Sequence, residues 1–256
     1  PVLKRYILKW FCGAKIGLGA HVGWFSSVMG RHIELGDYCE IRSLTLIRCD
    51  GEVRIGAYSE VSSFVLAYGS ASLIVGNHSY IGPQCLINVE EDVHIGNVSG
   101  IGPRCMIFTH GGFLPYTEGH FRNFRRVIIG NHVYIAAGVF VHPGVEVGND
   151  AFVNSRSVLK QDVPGGEMVE GFPAKRVTLM EKVRRTMTPA RVDGAISEIV
   201  RHFAEVALRR RLGIEFKQET TNRISFRYRG REYVVMCVTS DGAGSSNFPR
   251  AGEGLL

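Results

Sequence analysis

The feature that most constrains the fold of this chain is a six-residue repeat of aliphatic side chains. An aliphatic residue followed by glycine recurs, mostly at intervals of eighteen to twenty residues, at Ile16-Gly17, Leu35-Gly36, Ile55-Gly56, Val75-Gly76, Ile95-Gly96, Ile129-Gly130 and Val147-Gly148. Within these blocks the rhythm of six is direct, as at Ile129, Ile135, Val141, Val147 and Val153. Such a period suits a coil of three short strands in which aliphatic side chains point inward and stack on the next coil. The repeat therefore predicts an all-β chain wound as a parallel β-helix with the outline of a triangular prism.

The residues between the aliphatic positions fit the same coil. Four residues after each aliphatic one the side chain is usually small or slender, as at Ser79, Cys85, Ser99 and Cys105. Glycine and asparagine follow the aliphatic positions, and we expect them at corners whose backbone angles β-branched residues avoid. A sandwich or barrel of unrelated short strands is the alternative, but it would give a period of two without a superimposed six.

The closing part of the repeat resembles a known superfamily. The stretch from Ile129 to Val177 is similar to the last coils of the maltose, galactoside and xenobiotic acetyltransferases, and its end, GFPAKRV, is similar to their terminal Gly-x-Pro-Ala-Lys signature. The resemblance to these hexapeptide-repeat acyltransferases covers about residues 13–177. It implies coils that wind left-handed, an exception to the usual right-handed crossover, and an acetyltransferase that uses acetyl-CoA. It also implies a homotrimer whose active sites lie between adjacent prisms.

The repeat is interrupted once, by a loop at 108–126 rich in glycine, aromatic and ionisable residues. Long excursions from a rigid scaffold are where catalytic and binding groups collect. The resemblance places a catalytic histidine where the chain leaves the coil, and His110 occupies that position. Imidazole suits a general base that takes a proton from an acceptor hydroxyl or amine as it attacks a thioester. The alternative is that His110 only satisfies a turn.

The same loop supplies candidates for the acceptor site. His120 is a second possible base, and Glu118 could orient it or bind acceptor hydroxyls. Tyr116, with Phe113 and Phe121, could stack on sugar faces or simply pack the loop. These residues favour a small, sugar-like acceptor such as a sugar or a polysaccharide precursor.

The resemblance also assigns the cofactor contacts. It places pantetheine against Ala137 and Ser155, and the phosphates of coenzyme A against basic residues, because phosphate oxygens require cations or guanidinium groups. The basic candidates are Lys160, Lys175 and Arg176. The chain departs from the family at Asn154–Ser157, where relatives have Gly-Ala-Gly-Ser, and we interpret Arg156 there as an extra phosphate contact. Solvent exposure alone is the competing interpretation for each lysine.

Charge, apolar runs and cysteine spacing limit the partners and the cellular location that this chain is expected to have. The formal net charge is +6, with basic stretches at Arg209–Arg211 and Arg223–Arg231, which suit a phosphate-bearing cofactor, an acidic partner or a solvated surface. No aromatic-interleaved nucleic-acid module accompanies them, so nucleic acid is not expected as a partner. No apolar run is long enough for a membrane span, and Lys9 interrupts the apolar start, so we expect a cytoplasmic protein. The six cysteines form no CxxC pair, so neither disulfides nor a metal site is expected.

Two other functions compete with acyl transfer. A gamma-type carbonic anhydrase shares this fold and binds zinc through three histidines, but its spacing is absent among His94, His110, His120, His132 and His142. A non-catalytic trimeric scaffold could instead use the prism and the basic C-terminal part to bind an acidic partner. The loop with His110 and the cofactor-end signature favour the enzyme.

The sequence divides into three parts. Residues 1–12 form a lead-in, 13–180 the β-helix with its loop, and 181–256 a small α+β extension. In the extension, Thr188-Pro189 predicts a helix start and Gly213 its end. An alternation from Ile224 and a turn at Arg229-Gly230 predict a β-hairpin. The tail from Asp241 is rich in glycine and serine and is predicted to be flexible.

Overall fold

The computed structural model describes residues 8–10, 13–112, 114–120 and 122–237. The chain divides into two compact units, Pro1–Arg184 and Arg185–Leu256. The first unit is built almost entirely from short parallel strands, and the second combines a helix with a small antiparallel sheet. The prediction of a left-handed parallel β-helix with a small C-terminal α+β part is confirmed.

The strands of the first unit form three sheets, which are the three faces of the prism. Face 1 consists of Lys15–Ile16, His32–Leu35, Glu52–Ile55, Leu73–Val75, Val93–Ile95, Val127–Ile129 and Glu146–Val147. Face 2 consists of His21–Val22, Glu40–Ile41, Glu60–Val61, Tyr80–Ile81, Gly100–Ile101, Tyr134–Ile135, Phe152–Val153, Glu167–Gly171 and Ala174–Leu179. Face 3 consists of Ser27–Met29, Leu46–Cys49, Leu66–Gly69, Leu86–Asn88, Met106–Ile107, Phe140–Val141 and Val158–Leu159.

The chain visits the faces in the order 1, 2, 3, so we number the corners after them. Corner 1 joins face 1 to face 2, corner 2 joins face 2 to face 3, and corner 3 leads back to face 1. The strands within each face are parallel, apart from the last two of face 2, where Ala174–Leu179 folds back antiparallel on Glu167–Gly171. A short helix, Met180–Val183, then ends the unit.

The core is the stack of inward aliphatic side chains that the repeat predicts. On face 2, Ile81 is in register with Val61 on one side and Ile101 on the other, and all three are fully buried. Equivalent columns run along the other two faces. Burying an aliphatic side chain of this size contributes roughly 1.5–3 kcal/mol, so the columns account for the stability of a unit whose individual strands have only two to six residues.

The coils are longer than three sixes in the middle of the prism. Val53 pairs with Leu73 and Leu73 with Val93, so each of these coils has twenty residues, whereas Ile129 pairs with Val147 after eighteen. The additional residues lie at corner 3, between Cys49 and Glu52 for example. The loop at 108–126 leaves from the same corner. Corner 3 is therefore where the scaffold accepts extra chain without disturbing the inward columns.

The reason for the corner glycines differs from the one expected. Gly56 and Gly96 do not have positive φ; the left-handed conformation belongs instead to corner residues such as Tyr58 and Val98, with φ of 55° and 54°. A Cβ built on Gly56 would lie 2.4 Å from the backbone of Gly76 in the next coil. The expectation that these glycines serve the corner angle was wrong: they are required because successive coils approach too closely for any side chain.

Polar side chains inside the prism are joined in ladders from coil to coil. The hydroxyl of Ser99 accepts a hydrogen bond from the Val133 N–H at 3.1 Å and donates one to the Gly130 carbonyl at 2.7 Å. Ser79 and Ser59 repeat the pattern in the preceding coils. The ladder satisfies backbone groups that burial would otherwise leave without partners.

The second unit has one more strand than predicted. A helix, Pro189–His202, follows Thr188 as its N-cap and continues as a π-helix, Phe203–Arg211. Three antiparallel strands follow, Phe216–Thr220, Arg223–Tyr228 and Arg231–Met236. The predicted hairpin corresponds to the last two, and Phe216–Thr220 was not predicted because its alternation carries few apolar residues. The tail from Asp241 lies outside the described residues.

The second unit has a small core of its own. Val200, Ala204 and Leu208 of the helical segment pack with Ile214 and Ile224. Searched over the described part of the chain, no helix has the length and apolar character needed to cross a membrane.

Candidate active site

The loop at corner 3 is closed at its base by a short antiparallel ladder. His110–Gly111 pairs with Asn123–Phe124, with His110 opposite Phe124. A single turn of 3₁₀-helix, Tyr116–Glu118, lies in the outer part of the loop. The ladder fixes the first residues of the loop to the rigid prism, so His110 is held by regular structure. Phe113 and Phe121 lie outside the described residues.

His110 is oriented by a buried side chain from the preceding coil. Its Nδ1 lies 2.7 Å from Oδ1 of Asn88, which is fully buried. An amide oxygen can only accept a hydrogen bond, so with this geometry Nδ1 carries the proton and donates it to Asn88. Nε2 then carries the lone pair, which is the state that a general base requires.

Thr109 ties Asn88 to the start of the loop. Its hydroxyl lies 3.1 Å from both the carbonyl oxygen and Oδ1 of Asn88, and it accepts a hydrogen bond from the Glu91 N–H at 3.0 Å. Thr109 is fully buried. Nδ2 of Asn88 is buried and has no hydrogen-bond partner within the described residues. A buried polar group left in this condition is destabilising, so the local arrangement is not optimised for stability alone.

Aromatic rings fix the plane of the imidazole. The ring of Phe124 stacks on His110 with 5.6 Å between centroids and 19° between planes. Phe108 lies on the same part of face 3 and stacks on Phe140 one coil further on. His110 is half-buried as a result. The ring centroid of Phe108 is 6.4 Å from that of His110, so two rings and one hydrogen bond restrain the orientation of the imidazole.

Sequence reasoning did not identify Asn88. In the described structure it ends the face 3 strand one coil before the loop, in register with Tyr68. Nothing in the six-residue rhythm marks this position, since it lies just after the inward Ile87. The signal that could have found it is the coil length: a residue about twenty positions before His110 must lie beside it.

The acceptor candidates lie together in the outer loop. Oε2 of Glu118 is 4.0 Å from Nε2 of His120, and the guanidinium of Arg122 lies 5.6 Å from the centre of the Tyr116 ring. All are exposed. Across the described residues, no hydrogen bond or ring contact joins Tyr116, Glu118 or His120 to His110. The three form a separate cluster of the same loop.

The pantetheine candidates lie at corner 2 of the closing coils. Ala137 and Ser155 occupy equivalent positions one coil apart, joined through the Arg156 N–H, which donates to the Ala137 carbonyl at 2.9 Å. The N–H groups of Ala137 and Ser155 donate no hydrogen bond within the described chain. Both residues are at least partly accessible. The corner therefore offers two free backbone donors in a row.

The basic candidates differ in whether a carboxylate pairs with them. Lys160, Lys175 and Arg156 are exposed and form no ion pair within the described residues. Lys160 lies 5.3 Å from the centre of the Phe172 ring. Arg176, by contrast, lies 3.4 Å from Glu167, so its charge is partly compensated.

A second histidine lies close to this region. His142 is half-buried beside Phe140, with 4.8 Å between ring centroids. Burial, together with the positive charge of Lys160, lowers the pKa of His142 below its usual value. Both effects disfavour the imidazolium, so His142 is a neutral polar group at neutral pH.

The structure places the predicted residues on two edges of face 3. His110 lies at corner 3, where the loop leaves, whereas Ala137, Ser155 and Arg156 lie at corner 2. The strands of face 3 separate the two edges within one chain. No group of three His, Cys, Asp or Glu side chains among the residues described is arranged to hold a metal ion.

Comparison with known proteins gives short matches in sequence. No family model matches the chain. It is 37% identical over 57 residues to a chloramphenicol acetyltransferase of Klebsiella aerogenes, covering 22% of this chain and 27% of that protein. It is 40% identical over 60 residues to a 2,3,4,5-tetrahydropyridine-2,6-dicarboxylate N-acetyltransferase of Staphylococcus aureus, covering 23% and 25%. The chain thus spans about a quarter of the length of these acetyltransferases.

Comparison of structures extends over most of the first unit. AntD, an N-acyltransferase from Bacillus cereus solved with dTDP and 3-hydroxybutyryl-CoA, matches 70% of this chain and 93% of its own with a TM-score of 0.52 at 17% identity. A serine-to-alanine mutant of AntD, solved with dTDP-4-amino-4,6-dideoxyglucose and coenzyme A, matches 70% of this chain and 92% of its own with a TM-score of 0.51 at 19% identity. The chain therefore shares its fold with coenzyme-A-binding acyltransferases.

Proposed function

We propose that this protein is an acetyl-CoA-dependent acetyltransferase that modifies a hydroxyl or amine of a small, sugar-like acceptor. The observation that carries the proposal is the hydrogen bond between Nδ1 of His110 and Oδ1 of the buried Asn88. It supplies a fixed imidazole with a free Nε2 at the base of the one long excursion within the β-helix of residues 13–180. A histidine that only satisfied a turn would not need an oriented ring.

The residues of the chain perform proton transfer and positioning. Nε2 of His110 takes the proton from the acceptor as its oxygen or nitrogen forms a bond to the acetyl carbonyl carbon. The same proton then passes from the imidazolium to the departing sulfur as the carbon–sulfur bond breaks. Asn88 accepts from Nδ1 throughout, so the ring keeps one orientation. Acetyl-CoA, when bound, supplies an activated acetyl group, and no covalent enzyme intermediate is needed.

The donors at corner 2 fit coenzyme A. Pantetheine carries amide carbonyls, which the free N–H groups of Ala137 and Ser155 can bind. The phosphates need cations, and Arg156, Lys160 and Lys175 are exposed without carboxylate partners in the described chain. Arg176 is assigned the weakest contact because Glu167 already pairs with it. The AntD complexes with coenzyme A support this assignment by fold.

The acceptor would lie against the outer loop. Tyr116 offers an exposed ring, and Glu118 and His120 offer polar groups that hydroxyls or amines can bind. Support for a sugar comes from AntD, which was solved with a dTDP-linked amino sugar. Either oxygen or nitrogen can be the acylated atom, since the base chemistry is the same for both.

We expect the functional form to be a homotrimer. Along face 3 an outward column of apolar side chains runs in register through Leu46, Leu66, Leu86, Met106, Phe140 and Val158. Leu66 and Met106 are 37% and 38% exposed, although side chains of this kind favour burial. Packing of face 3 against a second copy would cover the column and bring His110 of one prism to corner 2 of its neighbour.

The test separates base catalysis from binding. His110→Gln should lower kcat by at least about a hundredfold, as loss of a general base does, and should leave acetyl-CoA binding intact. Binding is followed by the rise in Tm at saturating acetyl-CoA, and transfer by thiol release with a panel of amino and hydroxy sugars. His132→Gln is the matched control: His132 is exposed at corner 1, away from the loop, and the variant should keep kcat within about twofold of the original chain. An active His110→Gln enzyme would remove the residue from this role.

A further inference from the structure

The loop at 108–126 carries an excess of positive charge that its own residues do not neutralise. It contains three arginines, Arg122, Arg125 and Arg126, and one carboxylate, Glu118. Glu118 lies next to His120, 4.0 Å away, and forms no ion pair with an arginine in the described loop. Arg122 is engaged with the ring of Tyr116. Arg125 and Arg126 therefore stand as uncompensated cations in the segment by which the loop returns to the prism.

Arg125 is held at two points close to His110. Its backbone N–H donates a hydrogen bond of 2.9 Å to the carbonyl of Thr109, the residue that precedes His110. Its aliphatic stem lies across Gly144, at corner 3 of the next coil: a Cβ built on Gly144 would be 2.7 Å from Cδ and 3.1 Å from Cβ of Arg125. Gly144, whose φ of 84° itself favours glycine, leaves room for the stem. Contact with Gly144 restricts the side chain of Arg125 in advance, so less side-chain entropy is lost when an anion binds.

The fixed stem presents an unpaired guanidinium. Within the described residues no carboxylate lies within 4.0 Å of Arg125, whereas other arginines of the β-helix do pair with an acid, as Arg42 does with Glu60. Arg125 is exposed, so the charge itself is hydrated and not strained. A planar guanidinium held in place is the group best suited to bind a phosphate or carboxylate through two parallel hydrogen bonds.

We infer that Arg125 is the anion-binding residue of the acceptor site, so that the acceptor carries a phosphate or carboxylate close to the group that is acylated. The inference rests on the proposed function and adds the chemical class of the acceptor to it. Arg126 supports the same negative charge through the local field.

The assignment separates Arg125 from the coenzyme A phosphates. Arg156 lies at corner 2, before the face 3 strand Val158–Leu159, whereas Arg125 and Gly144 lie at corner 3, the corner from which the loop with His110 leaves. The acceptor must reach the base, so the cations nearest the base contact the acceptor. Lys160 also lies at corner 3, directly after Val158–Leu159, but two coils beyond Phe108. We keep it with the cofactor set because its neighbour there is Phe172 of the closing coil.

The experiment measures anion binding to the full chain in the presence of saturating coenzyme A. The cofactor then fills the sites for its own phosphates, so that the added anions cannot bind there. Titration calorimetry compares glucosamine 1-phosphate and glucuronate with methyl glucoside, which is neutral, and inorganic phosphate serves as the minimal probe. We expect glucosamine 1-phosphate or glucuronate to bind at least about tenfold more tightly than the neutral glycoside, because a charge-assisted hydrogen bond to Arg125 adds that much affinity. The stronger of the two identifies the anion as phosphate or carboxylate.

Variants assign the site to Arg125. Arg125→Gln should weaken binding of the preferred anion by at least about tenfold, and Arg125→Lys should restore part of it, since charge is kept and the fork is lost. Arg31→Gln, which removes an exposed arginine near the start of the prism, is the matched control and should bind like the original chain.

Two results would overturn the inference. The first is anion binding no tighter than that of the neutral glycoside, with no binding of inorganic phosphate. The second is unchanged anion affinity in Arg125→Gln, or a loss confined to acetyl-CoA. Failure of the proposed function gives a different result from failure of the inference about Arg125. Coenzyme A would then not raise the Tm, so the complex with coenzyme A that the titrations start from would not form.

Discussion

Replacement of Asn88 by alanine should reduce catalysis without reducing stability. The Oδ1 of Asn88 accepts a hydrogen bond from Nδ1 of His110 at 2.7 Å. That bond contributes about 0.5–1.5 kcal/mol to holding the imidazole in place, and losing this energy in the transition state lowers the rate by up to roughly tenfold. The freed imidazole can also turn or exchange its proton between the two nitrogens, and a displacement of about 1 Å costs on the order of a hundredfold. We therefore expect kcat to fall between about tenfold and a hundredfold.

The stability of the same variant follows from the other atoms of the amide. Thr109 keeps a partner, because the carbonyl of Asn88 remains at 3.1 Å from its hydroxyl. The buried Nδ2, which has no partner in the described structure, disappears, and this relieves about 1–3 kcal/mol. That gain offsets the lost bonds and the small cavity, so the free energy of unfolding should change by no more than about 1 kcal/mol.

The assay combines kcat and the Michaelis constant for acetyl-CoA with a thermal melt. The Michaelis constant should be unchanged, since Asn88 lies at corner 3 of the coil before the loop, whereas the pantetheine residues Ala137 and Ser155 lie at corner 2 of later coils. Asn88→Asp is the control: it keeps an acceptor for Nδ1 and should be more active than Asn88→Ala. The reasoning is refuted if Asn88→Ala retains kcat within about twofold, or if its Tm falls by more than about 8 °C, which would make the residue structural.

Three further predictions concern other parts of the prism. Lys160→Gln should raise the pKa of His142, measured by NMR titration, because a nearby cation is removed. In the original chain the pKa of His142 is lowered on folding, so the unfolded chain binds the proton more tightly and stability is lost as pH falls through the usual value of 6.5. The variant should therefore lose less of its free energy of unfolding between about pH 7.5 and 5.5. Leu66→Glu should convert the homotrimer that we propose to monomers in sedimentation experiments, and a trimer that persists in the variant would exclude face 3 as its interface. Ser99→Ala should lower the free energy of unfolding in denaturant by about 1–3 kcal/mol, because the Val133 N–H loses its acceptor; an unchanged value would mean that the ladder is not stabilising.

Much of the fold follows from a pattern that is local in sequence. Val61, Ile81 and Ile101 recur at equal intervals because each coil must put its aliphatic residue directly over the one before, and the six-residue period within each coil follows from that requirement. The same pattern locates the loop, since the rhythm stops at Ile107 and resumes at Val127. The place of His110 needs more, namely the resemblance to known acetyltransferases, because a single histidine has no periodicity.

The twenty-residue coils and the role of the glycines were not predictable in this way. Corner 3 admits extra residues without changing the inward columns, so the repeat is insensitive to them. Gly56 looks the same in sequence whether it serves a turn angle or a close approach between coils. Only the 2.4 Å separation from the backbone of Gly76 distinguishes the two.

The sequence alone determined that six-residue repeats stack into a prism and that the chain leaves the prism at a single point. It could do so because the buried aliphatic side chains recur with a short period in the sequence. What only the tertiary structure decided is which side chains meet at that point. Asn88 reaches His110 across one coil, and Gly144 makes room for Arg125 from another. These contacts join residues far apart in the chain, and their distances depend on coil lengths and corner shapes that the aliphatic period does not encode.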